Sequence, residues 1–309
     1  MRGVVGAVLL LAACGNYSNE DLEYMNAVPA RVDIAAVIPR ALMPANEAEL
    51  SRLTHDVITA FNGALLFLEA ADEIRKYQPT SRILNGRVWG PAPMEGRHVG
   101  WQWRFIITRD PAAPEMFSYA FEVQRIGAGD AWIPFISGTF VATGGVRKGM
   151  GHFRITTDAL RAAGFFLEIN VKGDGELLKE LDVMYSTAAF PISVTMGMVL
   201  YTDALTATPF MNWVTIDYHH EAQSNGQGAM EFKGTDSKTG WTLGIESRWL
   251  PTGRGRADAR AMDGAGVDMT RTQCWDDSFV QTYDYTPWDQ PPDPIEEGMI
   301  ADCPDISTL

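Results

Sequence analysis

Positive charge is what this chain has least of. Lys and Arg number 25 against 39 Asp and Glu, a formal net charge of −14 at pH 7. That balance argues against nucleic acid as a partner, because phosphate recognition needs a basic surface. It also disfavours peripheral adhesion to anionic lipid. Long apolar runs are missing as well. The run at the N-terminus, Val4 to Ala13, has ten apolar or small residues. As a helix it spans about 15 Å, against a hydrocarbon core of about 30 Å, so it is too short to cross a membrane. Cysteine is scarce, at three residues, with no zinc-type spacing. There is no G-x-S-x-G elbow and no H-E-x-x-H helix. The glycines at Gly144-Gly145 and Gly149–Gly151 lack the strand-to-helix setting of a phosphate loop. Lys172-Gly173-Asp174-Gly175 lacks the later ligands of a calcium loop. These absences lead us to expect a non-catalytic protein with no cofactor.

Of what is present, the N-terminus says most. Met1-Arg2 is a small basic n-region ahead of the apolar run, the pattern of a secretory signal. Leu11-Ala12-Ala13-Cys14 then resembles the lipobox of bacterial lipoproteins. The resemblance covers residues 1–15 and carries no activity. It implies cleavage before Cys14, with acylation of the Cys14 thiol and of the new amino group. Several acyl chains at about 0.8 kcal/mol per buried methylene make a stable anchor. Gly15 follows the cysteine where an Asp would signal retention, which by the enteric sorting pattern implies the outer membrane, facing the periplasm or the cell surface. With Cys14 acylated, Cys274 and Cys303 remain as a pair in an oxidising compartment. Bridged, they would close a loop of about 30 residues, a constraint of roughly 3–4 kcal/mol that pins the C-terminal tail. Unbridged, they are two buried thiols.

The pattern divides the chain into a signal peptide (1–13), a lipidated cysteine and polar tether (14–44), one domain (45–286) and an extended acidic tail (287–309). Within the domain, Asn46 and Glu49 have capping-box spacing. Leu50, Leu53, Val57, Phe61, Ala64, Leu68, Ala71 and Ile74 then recur at steps of three and four, which predicts one long helix ending before Pro79. Asn62-Gly63 marks a kink or a break. From Arg87 onward the period is two. Alternating segments begin near residues 101, 117, 132, 153, 165, 181, 194, 214, 241, 267 and 279. Residues 158–163 make a helical turn capped by Thr157 or Asp158. Gly173-Asp174-Gly175, Asn225-Gly226 and the Gly234–Gly240 stretch read as hairpin turns. The expected fold is therefore mainly β with one long N-terminal helix (α+β), a curved antiparallel meander or half-barrel of about eleven strands. It loosely resembles the half-barrel-plus-helix design of periplasmic lipoprotein carriers.

Two sets of residues are candidates for a site. Asp217, His219 and Glu221 alternate on one strand and share a face. They could hold a divalent ion or act as an acid–base pair of a metal-dependent hydrolase, or they are simply the solvated face of that strand. The aromatic stripe Trp101, Trp103 and Phe105, with Phe121 opposite, could line a cavity for an apolar ligand, or it is core. His220 points away from its neighbours, as a core histidine does. Cys274-Trp275-Asp276-Asp277 reads as a disulfide cysteine and a packed tryptophan beside a turn. The expected protein is a lipid-anchored, non-catalytic binding or scaffolding module of the cell envelope. Its partners would be the membrane, through the acyl anchor, and an apolar ligand or an envelope protein.

Overall fold

The computed structural model describes residues 18–39, 46–165, 178–200, 213–236, 239–263, 268–287 and 294–309. In them the period-two segments form one open antiparallel sheet of fifteen strands, paired strictly in chain order. The first eight are β1 (Ser81–Ile83), β2 (Gly86–Pro93), β3 (Trp101–Arg109), β4 (Met116–Arg125), β5 (Ile133–Ala142), β6 (Gly149–Thr156), β7 (Leu178–Ser186) and β8 (Ile192–Leu200). The rest are β9 (Trp213–Ala222), β10 (Gly228–Asp236), β11 (Thr242–Trp249), β12 (Gly255–Met262), β13 (Asp268–Trp275), β14 (Gln281–Thr286) and β15 (Ile295–Gly298). Both edge strands, β1 and β15, are short, which limits the unpaired backbone offered to another chain.

The expectation of about eleven strands is corrected upward. Ten of the expected segments are strands, and the one begun at Phe165 runs into residues outside the described ones, as does the Gly173 turn. The additional strands are β1, β2, β10, β12 and β15. β12 reads Gly-Arg-Ala-Asp-Ala-Arg-Ala-Met, a poor strand former taken alone. It is a strand because β11 and β13 hydrogen-bond both of its edges, and its small inward residues are what a helix rests on. Two aromatic–glycine pairs show the same economy of space. The Tyr185 ring lies over Gly151, where a Cβ would come within 2.2 Å of it, and Trp249 lies over Gly228, at 2.4 Å.

The single long helix is also corrected. The segment is two helices, α3 (Glu49–Ala64) and α4 (Phe67–Ile74), and before them stand α1 (Asn19–Met25) and α2 (Arg31–Ile34). The break falls at Leu65-Leu66, where Leu66, Leu68 and Glu69 donate to carbonyls three residues back and tighten the turn. α3 starts at Glu49, with Ala48 and not Asn46 at its N-cap. Residues ahead of it are already engaged: Ala48 N–H donates to the Phe279 carbonyl at 2.9 Å, and Glu47 bridges Val280. A distant side chain serves as the cap, the buried Gln273 Oε1 accepting from Leu50 N–H at 2.7 Å. The buried face of α3 is rotated from the expected one. Ser51, Thr54 and Ile58 are buried and Leu53 and Val57 only partly so. Thr54 Oγ1 lies 2.6 Å from Ser247 Oγ on β11, and α3 crosses the small residues of β12.

The described part of the expected tether, Ser18 to Pro39, is packed on the sheet. Tyr24, Ala27 and Ile34 are fully buried. α1 sits on β2 and β3, α2 on β8, and α3 on β12 and β13, so this N-terminal layer covers the inner face from one end of the strand order almost to the other. α5 (Asp158–Ala162) follows Thr157 as expected and packs on β5.

On the opposite face, the tail returns as β15 beside β14, and Cys274 is bonded to Cys303. The bridge, Tyr283 and Tyr285 make a small second core on that face. Because the bridge closes a separation of 29 residues, the double variant Cys274→Ser/Cys303→Ser is expected to lose about 2–4 kcal/mol of unfolding free energy. Urea denaturation of oxidised parent and variant measures it.

Candidate functional site

Strand register assembles the outer face row by row. His219 on β9 stands opposite Glu231 on β10, then Glu246 on β11, Asp258 on β12 and Thr272 on β13. The adjacent row runs Asp217, Lys233, Gly244, Arg260 and Thr270. Residues of both rows line an open hollow of about 730 Å³. Neighbours in such a row lie about 5 Å apart at Cβ, and like charges there repel. Three successive carboxylates are therefore a cost to the fold. Part of it is offset by Arg256, whose Nη2 donates to Asp258 at 3.0 Å, and by Thr272 Oγ1, which donates to the same oxygen at 2.5 Å. Arg260 is held by Asp268 through bonds of 2.7 and 2.5 Å, and the Asp268 carboxyl is lowered from its ordinary range chiefly by that partner. At Gly244 the floor of the hollow carries no side chain. Chemically the hollow presents fixed charges of both signs and threonine hydroxyls over a largely apolar lining to which Met262 and Ala259 contribute, which suits a surface that combines apolar area with charge.

Of the three strand residues expected as a site, Asp217 and His219 line this hollow and Glu221 does not. Thr195 Oγ1 lies 3.0 Å from His219 Nδ1, and His219 Nε2 lies 3.8 Å from Glu221 Oε1. The first is a hydrogen bond and the second is too long for one, so the three are not drawn into a relay. Among the described residues no group of three or more His, Cys, Asp or Glu could hold a metal ion. Glu231, Lys233, Glu246, Asp258 and Arg260 were missed in the sequence. Their signal was present as polar alternation in β10–β12, two of which, β10 and β12, were not recognised as strands.

The aromatic candidates are on the inner face and spend their rings on neighbours. Trp101, Phe105 and Phe121 are buried and Trp103 partly so. Trp103 stacks on Phe121 with centroids 5.6 Å apart, Phe121 meets Phe135 edge-on at 4.8 Å, and Trp101 meets Phe165 at 4.9 Å. Cys14 lies outside the described residues.

His220, next to His219 in sequence, faces inward and is 1 % exposed. Burial first, and the charge of His219 second, push its imidazole down to about 4, against an opposing contact with the Ile34 main chain. It is thus neutral at pH 7 in the folded protein. The unfolded chain binds this proton near pH 6.5 and the folded one near 4, so stability falls as pH drops through that window. We expect a loss of roughly 2–3 kcal/mol between pH 7 and 4.5. His220→Leu should flatten that slope, which denaturation at the two pH values reads directly.

Fold and hollow together define a class of protein, an open antiparallel meander sealed on its apolar face by N-terminal helices and hollowed on its polar face. No family model matches the chain, and no curated protein or solved structure matches it either. Among the described residues no helix is long and apolar enough to cross a membrane.

Proposed function

We propose that this protein is a lipid-anchored lipoprotein of the bacterial cell envelope, held through Cys14, and that it is a non-catalytic docking module for an envelope protein. The sheet is read as a curved half-barrel whose outer hollow, between β8 and β13, receives the partner. One observation carries the choice of docking over apolar-ligand carriage. The apolar face is filled by the chain's own N-terminal layer, with Phe61 of α3 stacked on Tyr218 of β9 at 3.9 Å and Tyr24 of α1 edge-on to Phe117 of β4 at 5.6 Å. The hollow left open on the other face sets fixed charges of both signs over a largely apolar lining, and apolar area framed by fixed opposite charges favours a protein partner over a lipid.

Native mass spectrometry of the chain from Tyr17 onward, exported to the periplasm, tests this. A bare mass, lighter than the reduced chain by the hydrogens of one disulfide, supports it. A stoichiometric companion mass that organic solvent extracts overturns it in favour of a carrier.

A further inference from the structure

The packing of Ser18 onward leaves very little chain between the acyl anchor and the fold. α1 opens with a capping box, Ser18 Oγ accepting from Asp21 N–H at 3.0 Å and Asp21 Oδ2 accepting from Ser18 N–H at 3.1 Å. Asp21 is in turn clamped by Arg82 of β1 and Arg87 of β2. Ser18 is therefore fixed beside the first hairpin. Cys14 stands four residues earlier, and four residues reach at most about 14 Å when fully extended. An acylated Cys14 thus forces this corner of the protein to within that distance of the bilayer.

The corner is dressed for such contact. β1 and β2 are joined by a two-residue turn, Ile83 pairing Gly86. Leu84 occupies its tip and is 91 % exposed, where polar residues and glycine are the usual occupants. In a meander, alternate connections lie at one end of the sheet. The β3–β4, β5–β6 and β7–β8 connections bring exposed Met116, Val146 and Phe190 to the same end as Leu84, and α1 adds exposed Leu22. Lys148 lies over the Phe190 ring, 5.5 Å from its centroid, placing an ammonium among these apolar tips. Apolar tips with a nearby cation are the composition of a surface that sits in the headgroup layer. The connections β9–β10, farther along the same end, read Gln-Ser-Asn-Gly-Gln over 223–227 and carry none.

We propose that the end of the sheet formed by the first four of these connections rests on the lipid bilayer, with Leu84 inserted in the headgroup region. The inference depends on the lipid-anchor reading. It turns the short link into an orienting device that stands the strands on the membrane and leaves the outer hollow facing sideways.

The test uses the full chain, matured in a bacterium, purified and reconstituted into phosphatidylethanolamine–phosphatidylcholine vesicles containing nitroxide-labelled lipid. Leu84→Cys and Val146→Cys, each carrying an environment-sensitive fluorophore, are compared with Val99→Cys in the β2–β3 connection at the other end of the sheet, a position 74 % exposed. All three side chains are exposed, so the substitutions should leave the fold intact. Insertion should quench the label at 84 or 146 roughly twofold or more beyond the label at 99. Equal quenching at all three, with the mass of the N-terminal peptide showing acylated Cys14, overturns this inference and leaves the anchor standing. An unacylated Cys14 overturns both.

Discussion

Asp21→Ala should destabilise the protein by about 3–5 kcal/mol, the cost of removing one partner from a buried ion pair. Asp21 is wholly buried. Its carboxylate accepts from Arg87 Nε at 2.5 Å, from Arg82 Nη2 at 2.9 Å and from Ser18 N–H. Burial alone would raise this carboxyl, but the hydrogen bonds from Arg82 and Arg87 outweigh it and hold it well below the usual range. Arg87 is itself only 4 % exposed and lies over the Tyr24 ring at 4.6 Å. Without Asp21 its charge would be left with the exposed Glu20, 2.7 Å away, and the seat of α1 on β1 and β2 would go. Urea denaturation at pH 7 measures the loss. A loss below about 1 kcal/mol would mean that the pair is no more than a surface bridge, and the short-link argument would fall with it. The carboxyl titrates below pH 3.8, so its contribution is lost only under more acidic conditions than the His220 window, and the two effects separate on a pH series.

Phe61→Ala should cost a comparable amount, about 3–5 kcal/mol, from lost burial and from the cavity left behind. Phe61 lies at the middle of the N-terminal layer, its ring stacked nearly parallel on Tyr218 at 3.9 Å and edge-on to Phe232 at 6.4 Å. Its neighbour Asn62 stitches α3 to the preceding segment. Asn62 Nδ2 donates to the Ala36 carbonyl at 2.8 Å, its Oδ1 accepts from Ala36 N–H, and Arg31 Nε donates to the Asn62 carbonyl. The void would therefore open where helices and sheet meet and where neither can relax into it. Phe61→Leu, which keeps most of the volume, should recover more than half of the loss. If Phe61→Ala costs little, the layer is a loose cover, and an apolar ligand could displace it. That outcome would revive the carrier reading, so the thermal melt of this variant bears on function as well as on stability.

The two variants also show why parts of the fold were legible in sequence and others were not. Period-two alternation of large residues is a local signal, and every expected segment in the described residues became a strand. β10 and β12 were hidden because most of their inward positions, Gly228, Met230 and Gly234 on β10 and Gly255, Ala257, Ala259 and Ala261 on β12, lack the large β-branched or aromatic residues that announce a strand, and Trp249 and Trp275 lie over Gly228 and Gly255. That requirement is set by a helix and by rings on other strands. α1 was read as tether because its sequence, Asn-Glu-Asp-Leu-Glu-Tyr-Met, is polar. Its acids are instead used against Arg82, Arg87 and Arg109, residues distant in sequence. The candidate site followed the same division. Asp217 and His219 were found because they alternate within one strand. The charges that share the hollow with them come from β10 to β12, and only strand order and register bring those together.

By itself, then, the sequence determined the antiparallel β class, the helical N-terminal region and the two-faced character of the strands, because each is written in local periodicity or turn chemistry; the Cys274–Cys303 bridge, one of two readings open in sequence, is present in the structure. The tertiary structure decided the strand number, the break and rotation of the helix, the docking of Ser18 to Pro39 and the row of polar side chains across five strands. Each of those depends on which residues, far apart in the chain, compete for the same space or the same hydrogen bond.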